Sequence, residues 1–147
     1  MITDLLAISE VRLFLASSPR HKLLIAKDYK AVPGEAIDLS LTLAKWIRSY
    51  GMRDKNFPYY CQIEINNCMN AVTVMTDDAE TIIPVTNIGI LFEPAIEFSP
   101  EAFLKRYSKN DILVLYWSGA IKGNRLYLPD ANSNCTIDLT EINHLVI

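Results

Sequence analysis

The chain has 147 residues, half of them hydrophobic and 21% charged. That is enough apolar side chain for one buried core and too little charge for a disordered chain. Lys and Arg number 14 against 17 Asp and Glu, a net charge of −3, and the basic residues are scattered, so a protein that coats DNA through a basic stripe is disfavoured.

The opening Met1-Ile2-Thr3-Asp4 has neither the basic start nor the continuous apolar core of a secretion signal. No apolar run approaches the roughly 20 residues needed to span a bilayer. A cytoplasmic location without membrane attachment is the expectation. Cys61, Cys68 and Cys135 are odd in number and form no CxxC pair. Together with His21 and His144 they show no metal-ligand spacing, so buried or partly buried free thiols are expected, with no metal and no cofactor.

In chain order, Thr3 to Ser17 reads as a helix with Leu5, Leu6, Ile8, Val11, Phe14 and Leu15 mostly on one face, ended by Ser17-Ser18-Pro19. Lys22 to Ala26 is a short apolar strand. Lys27 to Gly34, with Asp28, Pro33 and Gly34, is a loop. Ala36 to Tyr50 is a helix with Ile37, Leu41, Ala44 and Ile47 at helical spacing and Gly51 as its terminator. Strand, loop and helix in this order open a β-α-β unit.

Tyr59 to Ile65 alternates and is expected as a strand, with Asn66-Asn67 as a turn. Ala71 to Met75 and Thr81 to Val85 are two further strands around the acidic turn at Asp77-Asp78. Pro84 makes a central position uncomfortable for the second of them. Ser99-Pro100-Glu101 starts a helix ending near Tyr107, with Ser99 as N-cap. Ile112 to Tyr116 is a nearly continuous apolar run, as suits a strand covered on both faces. Gly119 and Gly123 mark turns, and Arg125 to Leu128 and His144 to Ile147 close the set. No repeat or linker interrupts the chain. The pattern predicts a single three-layer α/β domain, a mixed and mostly parallel sheet with helices on both faces.

Complete chemical motifs are missing from this layout. A Walker A loop needs GxxxxGK[ST], so that glycine backbones wrap the phosphates and a Lys neutralises them. The loop Ala26-Lys27-Asp28-Tyr29-Lys30-Ala31-Val32-Pro33-Gly34-Glu35 holds one glycine, and Glu35 stands where a Lys is wanted. Lys27 and Lys30 read more simply as solvated loop residues. The carboxylates Asp77, Asp78 and Glu80 have the chemistry to bind Mg²⁺ but sit where a solvated turn is expected. There is no Gly-x-Ser-x-Gly elbow, and no spacing joins Cys61 or Cys68 to a histidine as a nucleophile pair. The candidate partner-binding set is Tyr116, Trp117, Gly119 and Arg125: an aromatic strand end beside a glycine turn. Its competing role is to cap the core.

The stretches Asn87-Ile88-Gly89-Ile90-Leu91-Phe92-Glu93-Pro94, Ser99 to Ser108, Ile112 to Trp117 and Ser118 to Leu126 resemble BrxF, the small P-loop protein of BREX-type bacterial phage-defence systems. The likeness runs from Thr86 to Leu128. It implies a domain akin to AAA-type ATPases, but the Walker B acid falls at Thr86 and the nearby acid at Gly89, and the Walker A residues are missing. The resemblance therefore implies a degenerate copy whose Mg²⁺ and water-activating ligands are lost, with no catalytic residue carried over. The favoured reading is a non-enzymatic subunit of a defence complex that works by protein contact with other subunits, with self-association open and nucleic acid bound weakly or through partners. Two alternatives stand beside it. One is a divergent NTPase or Mg²⁺-dependent nuclease using Asp77, Asp78, Glu80 or Glu93. The other is a nucleic-acid-binding accessory using Lys22, Lys27, Lys30, Arg53 and Lys55.

Overall fold

The computed structural model describes residues 2–27, 35–51, 54–76, 80–129 and 135–147. The loop residues Asp28, Tyr29, Lys30, Pro33 and Gly34, and also Arg53, Asp77 and Asp78, lie outside them.

The N-terminal segment divides at Ile8 into a 3-10 helix, Ile2–Ala7, and helix α1, Ser9–Ala16. Strand β1, Leu23–Ala26, follows. A two-residue strand β2, Ile37–Asp38, precedes helix α2, Leu39–Tyr50. The expected helix start at Ala36 is thus corrected: Ile37 pairs with Val85 and Asp38 with Thr86, and the helix begins after them. Gly51 ends α2 as expected, at φ 88° with its N–H on the Ile47 carbonyl (2.7 Å).

The largest correction falls on Tyr59 to Ile65, which is helix and not strand. Helix α3 is Phe57–Ala71, the longest helix described, and Asn66-Asn67 lies inside it. Its buried residues Phe57, Cys61, Ile65, Cys68 and Met69 follow helical spacing, and Pro58 sits in its first turn, where a missing N–H costs nothing. Of the expected strand Ala71 to Met75, only Val74–Met75 (β3) is extended, hairpinned onto β4, Thr81–Thr86. Two 3-10 turns, Gly89–Phe92 and Pro94–Ile96, lead to helix α4, Pro100–Tyr107. Ser99 caps α4 by accepting the Ala102 N–H (3.1 Å). Strand β5 is Ile112–Tyr116. The hairpin β6, Ile121–Lys122, with β7, Arg125–Tyr127, joins β8, Thr136–Asp138, in a separate antiparallel sheet. Strand β9, His144–Val146, returns to the main sheet.

The main sheet runs β2-β4-β5-β1-β9, all parallel, with β3 antiparallel on the free part of β4. Pro84 stands where β4 has a partner on one side only. On its outer edge β3 pairs Thr81 and Ile82, β2 pairs Val85 and Thr86, and Pro84 falls between them. A residue without an N–H is tolerated where no outer ladder needs its donor.

Alternation along the parallel strands sends side chains into two cores. Leu23, Ile25, Ile83, Val85, Leu113 and Leu115 face the layer of α2, α3 and α4, while Leu24, Ala26, Ile82, Ile112, Val114 and Tyr116 face the N-terminal helices through Val11. This is a three-layer mixed α/β fold with helices on both faces. Among the described residues no helix is long and apolar enough to cross a membrane. Cys61 and Cys68 are free and buried, and burial pushes the Cys61 thiol up to about 11.

His21 lies at the amino edge of the sheet just before β1, 7% exposed, with its backbone N–H on Asn143 Oδ1 (3.3 Å) and its Nδ1 unpartnered. Burial, then the charges of Arg20 and Lys105, hold its pKa below the ordinary value, against a smaller opposing effect of the Asn143 side chain. The fold therefore favours neutral His21, while the unfolded chain takes up a proton below about pH 6.5. Stability is complete above that pH and falls as the pH drops toward the folded-state pKa. Urea midpoints measured at pH 7.5 and 5.5 should show this loss in the wild type and a smaller one in His21→Gln. Leu113→Ala, in the fully buried centre of β5, should cost about 2–5 kcal/mol in the same experiment.

Candidate functional site at the carboxyl edge of the sheet

The strand order creates one switch point. The chain leaving β1 crosses toward β2 at one edge, whereas the chain leaving β5 crosses β1 toward β9 at the other. In open parallel sheets the crevice outside the carboxyl ends at such a point is where ligands bind. Here the register brings Ala26, Tyr116, Thr86 and Asp38 into one row across β1, β5, β4 and β2. The carboxyl ends of β1 and β4, at Ala26 and Thr86, therefore lie on the same edge.

The row is held by its own hydrogen bonds. The Trp117 N–H donates to the Ala26 carbonyl (3.0 Å), and Thr86 Oγ1 donates to the Tyr116 carbonyl (3.2 Å). At the β2 end Asp38 caps α2: Oδ1 accepts the Leu41 N–H (3.0 Å) and Asn87 Nδ2 (2.8 Å). The Asn87 carbonyl in turn accepts the Ser40 N–H (2.8 Å) and the Ser40 hydroxyl (2.6 Å), and Ser40 Oγ accepts the Ile90 N–H (3.0 Å). Asn87 reaches both partners from a left-handed backbone conformation, φ 54°, which Asn tolerates better than other side chains. A helix N-terminus presents free N–H groups and positive potential to an anion. In this one the Ser40 and Leu41 donors already hold a carbonyl and a carboxylate of the chain itself. A second negative group, Glu35, faces Tyr116, whose phenol is pushed up by burial first and by Glu35 second.

A cavity of about 280 Å³ opens beside this row, lined by Thr86, Asn87, Trp117, Ser118, Leu128 and Pro129. Its lining is neutral. The side chains of Tyr116 and Trp117 are 5% and 3% exposed and enter opposite cores. The Trp117 indole Nε1 is buried without a hydrogen-bond partner. Gly119 lies against β7 so closely that an added Cβ would stand 1.9 Å from the Tyr127 carbonyl oxygen and 3.0 Å from Trp117 Nε1. Arg125 is exposed and engaged with β8, donating to Thr136 Oγ1 (2.9 Å) and pairing with Asp138 (3.8 Å). The four residues of the candidate partner set are thus split between two cores, a tight turn and a surface ladder.

The described members of the alternative sets are also dispersed. Glu80 precedes β4 at the amino edge, bonded through its N–H to Thr76 Oγ1, while Glu93 lies beyond the carboxyl end and caps the second 3-10 turn at the Ala95 N–H. Lys22 and Lys27 flank β1 at opposite ends, and Lys55 leads into α3. Among the described residues no group of three His, Cys, Asp or Glu is placed to hold a metal ion. The residues that sequence reasoning missed are Asp38, Ser40 and Asn87. The only signal for them was an Asp-Leu-Ser helix start, hidden by placing that start at Ala36.

No family model, curated protein or solved structure matches the chain. The class of protein that the geometry defines is a three-layer α/β domain with a switch-point crevice.

Two substitutions test this description. Asp38→Ala should cost about 1 kcal/mol through the lost cap, read from urea unfolding. Gly119→Ala should cost about 1–3 kcal/mol by overpacking against Tyr127, while Ser118→Ala, at an exposed neighbour, should leave the midpoint unchanged.

Proposed function

We propose that the chain is a non-enzymatic, P-loop-like subunit that acts by protein contact, and that its setting is the cytoplasmic anti-phage defence complex implied by the likeness to BrxF. One observation carries the reading: the crevice end of α2 is occupied by Asp38 and Asn87 of the same chain. A nucleotide phosphate binding there has to displace a carboxylate of the chain itself. The strand order adds support, because it sets the ends of β1 and β4 on one edge, as a P-loop layout requires. Thr86 and Gly89 stand where the resemblance expects the acids that Mg²⁺ chemistry wants.

The test has two arms. Thermal unfolding with millimolar Mg²⁺-ATP or Mg²⁺-ADP should show no shift, since a ligand at a hundred times its Kd would add about 2.7 kcal/mol. ATP hydrolysis above background, lost in Lys27→Ala or Lys30→Ala, would overturn the reading. In the second arm the protein is co-expressed with the products of its adjacent genes. Co-elution with a methyltransferase, helicase or large ATPase subunit is the expected result, and a metabolic gene neighbourhood without such partners would sink the defence setting.

A further inference from the structure

The chain that joins β4 to α4 folds around a groove of about 630 Å³, lined by residues other than those of the crevice. Its floor is apolar. Leu91 and Phe98 are buried in the main core, and Phe92 packs half-buried against it. Three carboxylates stand along the groove, Glu93, Glu97 and Glu101. Glu93 and Glu97 are exposed and Glu101 is half-buried. The two 3-10 turns space the first two: Glu93 ends one turn and begins the next, and Glu97 closes the second at φ 55°. Glu101 lies in the first turn of α4.

The chain does not neutralise these charges. Glu93 accepts the Ala95 N–H (3.2 Å) and Glu101 accepts the Asp138 N–H (3.1 Å), bonds that occupy one oxygen of each and cancel no charge. Among the described residues Glu97 has no side-chain partner, and no Lys or Arg lines the groove. Arg106 lies over one face of Phe98, 4.9 Å from the ring centroid, and Lys105 of α4 is paired with Glu141 (3.1 Å). The start of α4, capped by Ser99, contributes about half a positive charge. Arg106 and the helix end together offset about half of the three carboxylates, so the groove stays negative.

We infer that this groove receives a basic segment of a partner protein, with an apolar side chain on the floor and Arg or Lys side chains against the carboxylates. The inference rests on the proposed protein contact and names the chemistry of the partner. Charge complementarity selects the occupant. An acidic segment is repelled, and a neutral one leaves carboxylates desolvated without partners. A single metal ion does not fit, because among the described residues no three such ligands are placed to hold one. The cations have to be spread along the groove, as they are on a peptide, and a guanidinium matches a carboxylate with two parallel hydrogen bonds. A second copy of the chain, with a net charge of −3, brings no excess of cations. The apolar floor separates a peptide from a polyamine, which has no side chain to bury there.

The test is fluorescence anisotropy of a labelled short peptide of alternating Arg and Leu, titrated with the full chain at low salt. The wild type should bind it, and bind more weakly as salt is added. Glu97→Lys should raise the Kd about tenfold or more. Glu10→Lys changes the net charge equally from an exposed site on α1 and should leave the Kd within about twofold. A peptide with Ser in place of Leu should bind about tenfold more weakly, and one with Glu in place of Arg should not bind. If Glu97→Lys melts early, the triple variant Glu93→Gln, Glu97→Gln and Glu101→Gln replaces it, since Gln keeps the acceptor oxygens. A wild type that does not bind the Arg-Leu peptide overturns the inference. So does equal weakening by Glu97→Lys and Glu10→Lys. Equal binding of the Ser peptide, with displacement by spermidine, assigns the groove to any polycation and also overturns it. The proposed function fails separately, on ATP hydrolysis or absent partners, neither of which the peptide titration reads.

Discussion

Strand β5 is covered on both sides, and much of the architecture follows from that. All five of its residues are buried. It pairs with β1 and β4 and leaves no free edge, and its alternating side chains enter different cores, with Leu113 and Leu115 on one face and Ile112, Val114 and Tyr116 on the other. A strand of this kind is stable only with a helical layer on each face. The chain provides the thicker layer from α2, α3 and α4, while the N-terminal helices close the opposite face, with Val11 of α1 fully buried against it.

The same strand places the crevice. Because β5 lies between β1 and β4, the ends of all three strands open on one edge, and the chain's exits from β1 and β5 diverge there. Parallel strands ending side by side, with a helix start next to them, make a natural anion site. In this protein the attraction is satisfied internally. Asp38 supplies the negative charge at the start of α2, Asn87 supplies a carbonyl, and Ser40 links both to the turn at Ile90. The end of the sheet is thereby a structural joint, tying β2, β4 and α2 together.

Much of the sheet could be read from the sequence because its strands are apolar on both sides and bounded by turn residues. Leu23–Ala26, Thr81–Thr86, Ile112–Tyr116 and His144–Val146 are close to the expected spans. The caps at Ser99 and Gly51 were equally legible, since each rests on local backbone chemistry that needs no tertiary context. What could not be read depends on distant partners. Two residues, Ile37–Asp38, are a strand only because Val85 and Thr86 lie beside them. The crevice joint links residues nearly fifty positions apart, Asp38 and Ser40 with Asn87, and no local pattern announces such a pairing. The burial of Trp117 was legible as the competing role for that residue. The restraint that Tyr127 places on Gly119 was not, because it arises from the approach of a second hairpin strand.

The misreading of Tyr59 to Ile65 has a physical cause. Helices are recognised in sequence because their outer faces are polar and charged, so the apolar residues stand out at a period of 3.6. The outer arc of α3 has tyrosines, an isoleucine and asparagines instead, and the contrast between faces that marks a helix is lost. What remains is aromatic and β-branched composition, which imitates a strand. The property that defeated the periodicity is therefore the absence of charge on the outer arc of the helix.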